Sequence, residues 1–256
     1  VVAGRIANRL DLHGTNCIVD AACASSLSAI HLASLELEAG RADMVLSGGL
    51  DTFNDIFMYM CFSKTPALSA SGNAQPFNQD ADGTILGEGV GVVALKRLAD
   101  AERDGDRIYA VIKGVGSSSD GKGQAVYAPS PEGQARALRV AYRNAGVTPD
   151  TVGLVEAHGT GTIVGDATEA RGLTSVYEDT GREGSWCALG SVKSMIGHTK
   201  AAAGAAGLIK AVMALHHKVL PPTIKVDTPN EAVVPGETPF YVNTEKRPWL
   251  PDGDHP

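Results

Sequence analysis

The sequence predicts an α/β fold, and two observations carry that reading. At three places a short β-branched run passes through small residues into an apolar helical segment, the pattern of strand, tight turn and helix. Strand-like and helix-like segments also alternate along the chain, the order expected of layered α/β domains. At 256 residues the chain can bury a sizeable core as one large or two small domains.

Arg5 to His13 is a polar lead-in. The first strand-turn-helix unit is NCIVDAACASSLSAIHLASLELEAG, Asn16 to Gly40, with a strand over Thr15 to Val19, Cys23 at the turn and a helix closed by Gly40. A sulfur at that turn lies near the free N–H groups of a helix start, whose positive end favours the thiolate. Ala24, Ser25 and Ser26 leave room for a substrate, the logic of a nucleophile elbow. A free cysteine is more often a small buried hydrophobe, so the turn alone does not assign a role.

Met44 to Leu46 then form a short strand closed by Ser47-Gly48-Gly49. Between residues 51 and 71, Phe53, Phe57, Met58, Tyr59, Met60 and Phe62 read as core in preference to a pocket lining. Residues 73 to 91 read as loop. Their glycines are followed by no Gly-Lys-Ser/Thr and fit no dinucleotide fingerprint, so a nucleotide site is rejected. Val92 to Leu95, Ala99 to Arg103 and Ile108 to Val115 read as strand, short helix and strand. After a polar loop from Ser117 to Ala128, Ser130 and Pro131 are the N-cap and first residue of a helix that Gly146 stops. Arg136, Arg139 and Arg143 share one face of it, read as a solvated face ahead of a docking stripe for an acidic carrier protein.

The second unit, VGLVEAHGTGTIVGDATE, puts His158 at a strand end and a Gly159-Thr160-Gly161-Thr162 turn after it. Asp166 and Glu169 read as a capping pattern for the helix through Tyr177. The third unit runs from Leu189 to Leu215: strand to Val192, then Lys193, Gly197-His198, and a helix of small residues from Ala201 to Gly207 suited to close packing between sheets. Either histidine alone reads as structural. Their shared setting, a glycine-marked turn from strand to helix, raises both.

Composition narrows the function classes. A formal charge of −7 argues against nucleic acid as the main partner. The four cysteines form no C-x-x-C pair, which favours a reducing, cytoplasmic compartment and offers no metal spacing. The most apolar run, Ala201 to Leu215, is cut by Lys210 and is too short to span a bilayer.

The motifs DAACASSL around Cys23, EAHGTGT around His158 and KSMIGH around Lys193 and His198 together resemble the signature blocks of β-ketoacyl synthases, in the family's order and with similar separations. The run DTFNDIFMYMCFSKTPALS is most similar to ketosynthase domains of iterative type I polyketide synthases, above all the enediyne type, and of polyunsaturated fatty acid synthases. The resemblance implies a thiolase-like fold, layered αβαβα in two similar halves, each with a mixed five-stranded sheet, around two buried helices, here those after Cys23 and His198. Residues from 1 to about 115 would belong to the half with the nucleophile, and those from about 116 to 256 to the half with both histidines.

It further implies that Cys23, His158 and His198 are catalytic, that Lys193 and Glu169 form a supporting ion pair, and that Thr160, Thr162 and Phe62 contact substrate. No cofactor or metal is implied. Substrates would arrive on the phosphopantetheine of an acyl carrier protein, and a homodimer would pair through Thr15 to Val19. The family's pattern continues into a GFGGTN-type segment and begins earlier than this sequence, so a fragment incomplete at both ends and inactive alone is expected. Three other readings remain: a thiolase-type acyl-CoA acyltransferase, a non-catalytic chain-length partner, and a zinc site at Cys23, His158 and His198.

Overall fold

The structure, a computed structural model, describes residues 1–122 and 128–250; part of the loop predicted over 117–128 lies outside them. The lead-in is a helix, α1 (Val2–Leu10). It is followed by α2 (Ser25–Glu38), β1 (Met44–Asp51), α3 (Ile56–Lys64), β2 (Gly89–Lys96), α4 (Leu98–Asp104) and α5 (Pro131–Ala145). Then come β3 (Leu154–Glu156), α6 (Ile163–Tyr177), β4 (Cys187–Gly190), α7 (Lys193–Ile196), α8 (Ala203–His217), β5 (Val219–Leu220), β6 (Phe240–Val242) and β7 (Arg247–Pro248).

β1 and β2 pair antiparallel over their whole length, Met44 opposite Lys96 and Asp51 opposite Gly89. β3, β4 and β6 form a parallel sheet, and β5 pairs antiparallel with β7. β1 does not stop at Ser47-Gly48-Gly49 as expected but runs through it. The glycines are there for close approach: a Cβ at Gly49 would stand 2.6 Å from the Ala201 carbonyl oxygen.

α8 lies between the two larger sheets, its Ala205 under Gly91 of β2 and its Gly207 against Glu156 of β3. α2 packs beside it, where a Cβ on Gly204 would stand 2.5 Å from Leu27 Cγ, and the Ala205 N–H donates to Ser26 Oγ at 2.9 Å. These are the paired helices that the resemblance implies, and the small-residue run of α8 is what lets the two backbones come so near.

On the far side of the parallel sheet, α5 and α6 close a core of Leu173, Val176, Tyr177, Leu189, Val233 and Phe240. Tyr177 and Phe240 meet at a ring separation of 4.7 Å, a tilted contact that aromatic pairs favour. Ser130 caps α5 by accepting from the Gly133 N–H, and Gly146 ends it at φ 66°, as the sequence predicts. Arg136 and Arg139 are tied to the Ser119 and Ser175 carbonyls, so two of the three arginines bind this chain's own surface.

Three expectations fail. Thr15 to Val19 and Ile108 to Val115 are not strands: neither has a ladder partner among the described residues, and a β-branched run without one is only extended chain. The expected five-stranded sheets are correspondingly narrower here. The Phe/Met run is not core, because α3 buries none of its residues; Phe53, Ile56, Phe57 and Met60 are all exposed. Scarcity of charge points to core, but no element among the described residues covers that face.

Candidate active site

The chain enters α2 through a tight turn over Ala22–Ala24 that holds Cys23. Ala22 takes φ 48°, a left-handed conformation costing a non-glycine residue about 1–2 kcal/mol. The turn is held by Asp20 Oδ1, which accepts from the Ala22 N–H at 3.0 Å, and by Ser25 Oγ, which accepts from the Ala21 N–H and donates to the Ala22 carbonyl. The expected lowering of the thiol pKa is not found. Burial pushes the Cys23 thiol up, outweighing Lys193, its own backbone N–H and Lys200, which pull it down.

His198 is clamped by its backbone: its N–H donates to the Ile85 carbonyl at 2.7 Å and its carbonyl accepts from the Gly87 N–H at 2.9 Å. The Lys200 N–H donates to His198 Nδ1 at 3.0 Å, so Nδ1 is an acceptor and the neutral ring carries its proton on Nε2. Nε2 lies 3.2 Å from Cys23 Sγ.

His158 follows β3 and stands edge-on to His198, with ring centroids 5.3 Å apart at 86°. Lys193 Nζ lies 3.5 Å from its Nδ1 and also donates to the His158 carbonyl. An ammonium only donates, so here too Nδ1 accepts and Nε2 bears the proton.

His198 is pushed down to about 2 by burial, then by Lys193, His158 and Lys200. Desolvation followed by the Lys193 charge takes His158 to about 3. Because the His158 ring keeps an exposed side, the adjacent ammonium is the firmer cause. Both rings are neutral near pH 7 and act as hydrogen-bond donors rather than acids.

Glu169 and Asp166 do not cap α6, whose N-cap is Thr162 with no side-chain bond. Glu169 instead accepts from the His158 and Gly159 N–H groups at 2.7 and 2.8 Å. Lys193 holds the same peptide from the other side. Among the described residues Lys193 and Glu169 make no direct ion pair: the two charges bracket the His158 backbone, which uses both in fixing the ring.

Asp166, fully buried, accepts from the Phe77 N–H at 2.8 Å and the Gly161 N–H at 3.1 Å, joining the loop before β2 to the His158 turn. Sequence reasoning missed this role because the partner Phe77 is 89 positions away. Thr160 and Thr162 hydrogen-bond each other at 2.9 Å. Phe62 lies half-buried on α3, and among the described residues no ring contact joins it to either imidazole.

Burial, ahead of the Glu169 charge, pushes Asp166 up to about 7. A carboxyl that binds its proton more tightly folded than unfolded adds stability that is complete below about pH 4 and is lost as pH rises through about 7. The difference in unfolding free energy between the parent protein and Asp166→Asn is therefore expected to fall between about pH 4 and about pH 8, by up to about 4 kcal/mol. Denaturant titrations with parallel pH curves for the two proteins would remove this role for the carboxyl.

The ligand atoms of Cys23, His158 and His198 lie within 4.8 Å of one another, close enough for a metal ion. The tautomers argue against one. A metal needs a lone pair from each ring, and both Nδ1 atoms are engaged so that Nε2 presents N–H instead. The donor set does not fit zinc.

A cysteine at a strained turn thus meets two fixed imidazole N–H donors, one just after β3 and the other just after α7, on an α/β fold. The family description "Beta-ketoacyl synthase, N-terminal domain" matches residues 1–101 and "Beta-ketoacyl synthase, C-terminal domain" residues 109–227. The chain belongs to the β-ketoacyl synthase family, with its thiolase-like fold.

It is 51% identical over 257 aligned residues to a polyunsaturated fatty acid synthase chain of Thraustochytrium sp., covering 98% of this chain and 9% of that protein. It is 45% identical to a phenolphthiocerol/phthiocerol polyketide synthase chain of Mycobacterium tuberculosis, covering 96% of this chain and 14% of that one. The solved ketosynthase from module 6 of the bacillaene synthase from Bacillus subtilis superposes with a TM-score of 0.95 at 42% identity, over 98% of this chain and 45% of that chain. This chain therefore spans under half of each.

Proposed function

We propose that the chain carries out decarboxylative Claisen condensation in polyketide or polyunsaturated fatty acid elongation. The observation that supports this best is the 3.2 Å approach of His198 Nε2 to Cys23 Sγ beside a second Nε2–H donor on His158. Cys23 attacks an acyl thioester, the acyl–sulfur bond forms and the carrier thiol leaves. A malonyl thioester then binds with its carbonyl oxygen between the imidazoles. The bond to its carboxylate breaks, carbon dioxide departs, and the electron pair passes to the enolate that both N–H groups stabilise. The α-carbon attacks the acyl-Cys23 carbonyl, and the C–S bond breaks to return the thiolate. Lys193 and Glu169 hold His158 in place for this.

Carriage of substrates on an acyl carrier protein, a homodimer and a cytoplasmic setting belong to the same reading. The relative at 51% identity favours the polyunsaturated fatty acid type over the enediyne type. Among the described residues no helix is long and apolar enough to cross a membrane. A thiolase would release no carbon dioxide, and a chain-length partner would form no acyl-enzyme. Incubation with an acyl thioester and a malonyl carrier-protein thioester should yield carbon dioxide and a β-ketoacyl thioester in equal amounts. Product without carbon dioxide would replace the reading with the thiolase one.

A further inference from the structure

Lys200 directly follows Thr199 in a stretch otherwise made of alanine and glycine, yet its side chain is only 8% exposed. Its ammonium meets Asp51 Oδ1 at 3.1 Å, the Gly87 carbonyl at 3.0 Å and Asn54 Oδ1. These acceptors come from the end of β1, the approach to α3 and the approach to β2, so all three N–H donors of the ammonium are used. The Lys200 backbone has φ 49°, a left-handed conformation that glycine adopts freely and lysine holds only when its surroundings enforce it. In that conformation its N–H points at His198 Nδ1, 3.0 Å away. Gly87 completes the loop of contacts, since its N–H donates to the His198 carbonyl while its own carbonyl receives the Lys200 ammonium.

We propose that Lys200 is a positioning residue for His198: its side chain straps the left-handed turn to β1 and the loop before β2, and the backbone N–H so aimed fixes His198 as the Nε2–H tautomer facing Cys23. This rests on His198 acting as an N–H donor in the proposed condensation. A glycine at position 200 would reach the same φ without strain but leave the turn free to move. The strap also explains how a histidine next to a glycine of φ 71° at Gly197 keeps one ring orientation.

The test reads the ring itself and needs no substrate. In protein labelled with 15N-histidine, long-range proton–nitrogen spectra should show His198 with an unprotonated Nδ1 and a protonated Nε2. In Lys200→Met both tautomers should appear. In Asp51→Asn, which keeps the lysine but removes its carboxylate partner, the same mixing is expected. Alkylation of Cys23 should move in opposite directions, slower in Lys200→Met, where a nearby cation is lost, and faster in Asp51→Asn, where a nearby anion is lost. If Lys200→Met does not fold, as judged by circular dichroism, Asp51→Asn decides the matter. A folded variant that keeps His198 wholly as the Nε2–H form overturns the proposal while leaving the condensation reading intact. A parent protein already protonated on Nδ1 would undo the donor geometry beneath both.

Discussion

Cys23→Ala is expected to abolish acyl-enzyme formation completely. Incubated with a short-chain acyl thioester, the parent protein should gain the mass of a single acyl group and the variant none. The effect is all or nothing because nucleophilic catalysis requires the covalent bond itself. Cys17 and Cys61 are exposed thiols and Cys187 is buried, but among the described residues none of them faces an imidazole as Cys23 faces His198 at 3.2 Å. Acylation demands less of the chain than full condensation does, since it needs only the sulfur and access to it. Equal acyl gain in parent and variant would place the nucleophile elsewhere and end the assignment.

His198→Ala should separate the two half-reactions. Acylation of Cys23 should persist, while carbon dioxide release from a malonyl thioester should drop by about 10²–10³-fold, the usual cost of deleting one preorganised donor to a developing oxyanion. With its pKa pushed down to about 2, the ring stays neutral across the working range. The decarboxylation rate should therefore show no inflection near the ordinary imidazole value of about 6.5. A break there that persists in Asp166→Asn, whose carboxyl titrates near 7 in the parent, would mean that His198 titrates in the open and acts as an acid, contrary to its burial at 3% exposure.

Much of the site was legible in one dimension because turns are local. Cys23, His158 and His198 each follow a strand-like run and precede a helix, and the structure brings all three together. Ser130 and Gly146 bound α5 as their chemistry dictates. The failures are all non-local. Thr15 to Val19 has strand composition, but a strand needs a neighbour that its own residues cannot specify. The aromatic residues of α3 look like core only until it is known that none of them is buried. Asp166 and Glu169 satisfy a capping pattern, yet their oxygens go to Phe77, Gly161, His158 and Gly159.

By itself the sequence determined the alternating elements and the small-residue helix, because periodicity and turn chemistry act within a few residues, while Cys23, His158 and His198 were singled out by the resemblance of their three motifs. Only the tertiary structure decided which nitrogen of each ring carries the proton and whether burial or nearby cations govern the thiol. A tautomer is set by whichever donor reaches the opposite nitrogen, and a pKa by the balance of desolvation against charge. Lys193, 35 positions from His158, and Lys200, strapped to Asp51 across the fold, exert those effects only once the chain has closed upon itself.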